Sequence, residues 1–169
     1  GNVVWTNSTT GGQVWNNVGN ATVTANISMN TFWARFNGTW AANPVFNNTG
    51  GTCTSAIMLV FRPDVATNIW LTEQIQTVNA AAAATITVTG VTPANPNNVT
   101  IAAWMTADDN TWGTLTGANW TKGTLAAQYR NTSGTDQSAT FAYQLQAAAA
   151  PTNNVAQTQL TLGLSLIHI

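Results

Sequence analysis

The sequence predicts an all-β chain, folded as an antiparallel β-sandwich of the immunoglobulin-like or jelly-roll kind with Greek-key connections. Three observations lead there. Apolar residues recur at a period of two or in short unbroken runs, and no segment carries a capped amphipathic helical stripe. Threonine alone supplies 30 of the 169 residues, and β-branched side chains suit a pleated, half-buried surface. Turn clusters rich in Asn, Pro and Gly break the runs about every dozen residues, the spacing of a sandwich. The length suits one domain with a substantial core.

Residues 1–12 read as an N-terminal arm. Val3 and Trp5 alternate, and Asn7 to Gly12 form a polar, glycine-ended link. Residues 13–169 then form the sandwich. Ala21, Val23, Ala25, Ile27 and Met29 alternate with polar neighbours, as a half-buried strand requires, and Phe32, Ala34 and Phe36 continue the pattern. Ser55 to Arg62 is a continuous apolar run ended by Pro63, the expected form of a central strand buried on both faces. Asn68–Val78, Ala84–Val91, Val99–Thr106, Trp112–Thr116, Asn119–Arg130 and Ser138–Gln146 read as further strands. The alanine runs at 80–84 and 147–150 lack caps and are read as loops or strand ends. The domain ends in an alternating strand read over 156–169, in which Leu160, Leu162, Leu164 and Leu166 share one face, opposite Thr161, Gly163 and Ser165. Such a strand needs an apolar groove and ladder partners, in its own chain or in a neighbour's. Residues 164–169 also match the translation of a common sequencing-adapter end, but the alternation from Leu160 to Leu164 stands without them.

Charge is scarce: four Lys/Arg and five Asp/Glu, 5% of the chain against about a quarter in ordinary globular proteins. Asn, Gln, Thr and Ser carry the polarity instead. A net charge of −1 with one lysine excludes a phosphate-tracking nucleic-acid binder and a basic membrane-surface helix. No apolar stretch is long enough to span a bilayer as a helix. With few carboxylates to protonate, the chain suits an acidic or variable extracellular environment. Cys53 stands alone, so no intrachain disulfide forms, and it reads as a small buried hydrophobe. The start at Gly1 suits a processed, secreted form. Sequons occur at Asn7, Asn20, Asn26, Asn37, Asn47, Asn98, Asn119 and Asn131. Composition alone predicts about four or five, so the eight point to N-linked glycans outside the cell.

Catalysis finds little support. The only histidine, His168, stands next to the end of the sequence, and Glu73 is the only glutamate. Asp108 and Asp109 are adjacent, so on a strand they would face opposite sides and could not work as an acid/base pair. Their role is read as shaping a turn; a Ca²⁺ site with Asp64 is the one metal reading available. No cofactor is expected. Eight tryptophans, at 5, 15, 33, 40, 70, 104, 112 and 120, supply core packing on the plain reading. As sugar-stacking platforms they would make the chain a carbohydrate-binding module or lectin. A viral capsid or decoration subunit is a further alternative, weakened by the lack of basic residues.

A Thr/Asn-rich β-protein with many sequons and an apolar terminal strand resembles archaeal extracellular pilus subunits, the thread-type and bundling pilins, whose architecture is similar to that of type 1 pilins. The resemblance lies in composition and layout across the chain. It implies a glycosylated structural subunit polymerised head to tail, each incomplete sandwich filled by a neighbour's strand, and serving adhesion or biofilm formation. The partners it implies are identical subunits, together with cell surfaces or other filaments. It makes Val3, Val4 and Trp5 the donor anchors, with Leu160, Leu162, Leu164 and Leu166 as partner or rival.

Overall fold

The computed structural model describes residues 9–23, 27–45, 56–67, 70–80, 82–123, 129–131, 136–160 and 165–168. The fold is an antiparallel β-sandwich, with no helix among these residues. The first elements are short. β1 (Thr9–Thr10) and β2 (Gln13–Val14) pair around Gly11 and Gly12, whose φ values of 64° and 79° are ones that glycine adopts without strain. The polar link expected here is thus a tight hairpin from Thr9 onward. β3 (Asn16–Val23) and β4 (Ile27–Trp33) form a second hairpin.

The remaining strands build two facing sheets. The larger runs β10 (Tyr129–Asn131), β11 (Gln137–Gln146), β7 (Asn98–Thr106), β13 (Ser165–His168), β5 (Thr77–Ala80). Its sixth strand, β9 (Thr121–Lys122), pairs with β11 further along. The smaller sheet places β12 (Val155–Gln159) between β6 (Thr85–Val88) and β8 (Trp112–Thr116).

β7 and β11 are the spine, paired from Thr106↔Ser138 to Asn98↔Gln146. Alternation sends Ala102, Trp104 and Ala142 to one face, where they meet Ile86, Val88, Trp112, Trp120 and Val155 of the smaller sheet and its loops. Residues one step out of phase, Ala103, Met105 and Ala139, join Ile27, Met29 and Ile57 in a second cluster. The spine is therefore covered on both faces, by the small sheet and by the β3–β4 hairpin. Burial of each large side chain contributes about 1.5–3 kcal/mol. Trp104 is fully buried and donates its indole N–H to the Ile86 carbonyl at 3.3 Å.

Much of the interior is amide rather than ionic. Gln157 and Gln159 are buried on β12; Gln157 donates to the Gly113 carbonyl at 2.9 Å, as does the Lys122 ammonium. Gln159 accepts from Asn110 at 3.0 Å and donates to the Ala83 carbonyl at 2.6 Å, tying two connections to one strand. Gly90 runs so close to Thr152 that a Cβ would strike the Thr152 carbonyl, and Val91 and Thr152 exchange backbone and hydroxyl hydrogen bonds there.

Two expected strands are not formed as read. Among the described residues of Asn68–Val78 only Thr77 and Val78 enter a strand, β5, while Trp70–Gln76 stays outside every ladder, and the apolar run before Pro63 forms none. Ala56–Pro63, the described part of the apolar run, alternates between exposed and half-buried residues but joins no sheet. Both places beside β7 are taken, by β11 and β13. The run instead contributes Ile57 to the second cluster and sets Phe61 edge-on to Tyr143, ring centroids 5.7 Å apart.

Candidate assembly surface

β13 joins two strands that do not pair with each other. Leu166 lies opposite Met105 of β7 on one side and Asn79 of β5 on the other, and His168 lies opposite Ala103 and Thr77. The space between β5 and β7 is thus one strand wide and lined by backbone donors and acceptors on both sides. β13 fills it here. Of the four leucines of the alternating strand read over 156–169, Leu160 is 77% exposed after β12, Leu166 lies in the slot strand, and Leu162 and Leu164 lie outside the described residues, as do Val3, Val4 and Trp5.

The exposed apolar residues are concentrated. Eight of the eleven large ones fall between Phe36 and Ile75, and Val60 (81%) and Leu71 (76%) are among the most exposed. Over Ala56–Pro63 and Trp70–Gln76 no backbone hydrogen bond is made among the described residues. These are unladdered segments that carry exposed apolar side chains, the kind of edge that invites another strand. Trp70–Gln76 is held by two neighbouring side chains: the Glu73 carboxylate accepts from the Asn95 side chain at 2.5 Å and from the Ala94 and Asn95 N–H groups at 2.8 and 3.3 Å, and Gln74 Nε2 donates to the Thr92 carbonyl at 2.7 Å. The bonds to Glu73, the Asn95 side chain first, hold its carboxyl below its ordinary value. Beside it an open groove of about 610 Å³ runs between Glu73–Gln76 and Gly90–Thr92.

The sequons divide by environment. Asn119 is exposed in the turn after β8 with φ at 69°. Asn37 is exposed but its carboxamide is engaged by Gln13, Gly12 and Thr39. Asn98 opens β7 and donates to the Asn95 carbonyl at 2.9 Å. Asn20 and Asn131 lie in β3 and β10; Asn7, Asn26 and Asn47, like Cys53, lie outside the described residues.

Asp108 and Asp109 come together with Asp136, one oxygen of each within 4.8 Å of the others. Pairing of Thr106 with Ser138 explains the third member, since the residues just beyond each end of that pair face one another. Arg130 bonds Asp109 at 3.2 Å and offsets part of the charge. Asp64 is elsewhere, accepting from its own neighbour's N–H at 2.9 Å. Of the tryptophans, 104, 112 and 120 are buried core, and Trp40 is 46% exposed beside Phe36, ring centroids 5.4 Å apart.

No protein-family model, no curated protein and no solved structure matches this chain.

Proposed function

We propose that the chain is a structural subunit of an extracellular, N-glycosylated filament, polymerised head to tail by strand exchange and serving adhesion or biofilm formation. The observation that carries this reading is the slot between β5 and β7, closed by the four-residue strand β13, which is a hairpin neighbour of neither. The slot carries it whichever segment fills it, since β5 and β7 share no ladder of their own. Filled in cis, the sheet is complete. Filled by another copy, each subunit gives one strand and accepts one, a heterologous contact that propagates without closing. The apolar, unpaired stretches around Val60 and Leu71 favour further contacts along such a filament, and the near-neutral surface sets little repulsion against them.

Two engineered cysteines test it. Met105→Cys and Leu166→Cys, placed at facing positions on a Cys53→Ser background, can form a cross-strand disulfide. Exchange yields an oxidised ladder of covalent multimers and filaments in negative stain. Monomers that close the bond internally, with no filaments, overturn the reading.

A second reading, carbohydrate binding, is favoured by the exposed Phe36–Trp40 pair alone. A glycan array with Trp40→Ala as control separates the two.

A further inference from the structure

Asn37 is followed by Gly38, and this Asn-Gly pair occurs once in the sequence. Its surroundings are unusual for an exposed loop. The Asn37 side-chain oxygen accepts three hydrogen bonds: from Gln13 Nε2 at 2.9 Å, from the Thr39 N–H at 3.1 Å and from the Thr39 hydroxyl at 3.4 Å. Gln13 itself is buried to 1% exposure and is anchored by the Thr39 carbonyl at 2.6 Å and by the Asn37 N–H at 2.9 Å. The donors are therefore fixed before any reaction. Gly38 has φ at 99°, and a Cβ built on it would meet nothing within 4 Å, so the peptide faces open solvent. Its N–H makes no hydrogen bond among the described residues.

We infer that Asn37–Gly38 is a site of spontaneous succinimide chemistry, which converts Asn37 to aspartate and isoaspartate. The Gly38 nitrogen gives its proton to hydroxide and attacks Asn37 Cγ. The new N–Cγ bond pushes the carbonyl electron pair onto Oδ1, where the three donors stabilise the developing charge. Collapse breaks the Cγ–Nδ2 bond, and Nδ2 takes a proton from water and leaves as ammonia. Water then opens the five-membered ring at either carbonyl. The net change is amide plus water to acid plus ammonia, with nothing oxidised or reduced. The absence of a side chain at Gly38 allows the approach that a bulkier residue would block.

The conversion reaches the fold. Asn37 Nδ2 donates to the Gly12 carbonyl at 3.2 Å, and a carboxylate oxygen there would set acceptor against acceptor. Isoaspartate would also lengthen the main chain between Gln13's two partners. An N-glycan on the same sequon uses the same nitrogen, so glycosylation and conversion compete for Asn37. The inference is independent of the filament reading.

The test uses the full chain from a host that adds no N-glycans, incubated at mildly alkaline pH and mapped by peptide mass spectrometry. Hydroxylamine, which cleaves a chain at a succinimide, serves as a second readout. In the folded protein Asn37 converts at least about tenfold faster than exposed Asn119, and no more slowly than in guanidinium. Thr39→Val, which removes one donor and leaves tryptophan fluorescence native, slows it several-fold. A folded rate no faster than that of Asn119, or slower than in guanidinium, overturns the inference, because the hydrogen bonds then protect the amide. An unchanged rate in Thr39→Val overturns it as well.

Discussion

Residues 98–159 and residues 34–76 are nearly opposite solutions for the same composition. The first region contributes β7 to β12 and most of the cluster around Trp104. Its central strands β7, β11 and β12 are laddered on both sides, and most of its large apolar side chains face inward. The second region has no strand among its described residues and holds most of the exposed apolar side chains. Hydrophobicity is similar in both, so the difference lies in where the backbone groups go. A buried strand needs ladder partners as well as an apolar surface. Once β11 and β13 flank β7, the run at 56–63 has no place beside that strand and packs through Ile57 and Phe61 instead.

The largest test of that contrast is a pair of truncations. Trp104→Ala empties a fully buried site and removes an indole hydrogen bond, and costs about 3–5 kcal/mol. Val60→Ala, at 81% exposure, changes stability by no more than about 0.5 kcal/mol. Guanidinium unfolding of the unpolymerised chain measures both. A large cost at Val60 would mean that the 56–63 run is covered within the monomer, and the contrast would fail.

A glycine pair sharpens it at the level of the backbone. Gly90→Ala drives a Cβ onto the Thr152 carbonyl, with the carbonyl carbon and hydroxyl also at 2.8 and 2.9 Å; the cost is about 1–3 kcal/mol and shows as a lowered midpoint of thermal unfolding. Gly38→Ala meets open space and carries only the strain of a left-handed φ, about 1–2 kcal/mol and local to the loop.

The laddered region was the more legible in sequence. Val99–Thr106 and Ser138–Gln146 match β7 and β11 to within one residue, and Trp112–Thr116 matches β8, because alternation and packing point to the same face there. The N-terminal pattern misled in an instructive way. Ala21 through Met29 read as one strand but form the arms of a hairpin, since Ala21 faces Met29 and Val23 faces Ile27. Val23 and Ile27 are separated by an odd number of residues, so the period of two keeps its phase from one arm to the other. In 55–62 apolarity signalled a need for burial, and no sequence pattern says whether a slot is open. Asp136 was missed because only the β7–β11 register brings it to Asp108. The sequons were plain as motifs. That Asn37 is locked into Gln13 while Asn119 stands free depends on contacts 24 residues apart.

The smallest expected effect concerns the carboxylate that ties the unladdered region to the turn before β7. Glu73, on the unladdered side, accepts from Ala94 and Asn95 in the turn leading into β7. Its folded value lies below the ordinary 4.5, so its contribution is fully present above that value and is lost as pH falls through the lower folded one. The carboxyl therefore titrates with a midpoint under 4.5, and the Ala94 and Asn95 amide resonances move with it. Glu73→Gln removes that movement. Glu73 is fully exposed, and solvent screening keeps its effect on global unfolding slight. What changes below the midpoint is the hold on Trp70–Gln76, measurable as faster backbone exchange there than in β7. If both segments respond to acid alike, the tie is not local, and the separation of a laddered core from an unladdered flank loses its simplest chemical marker.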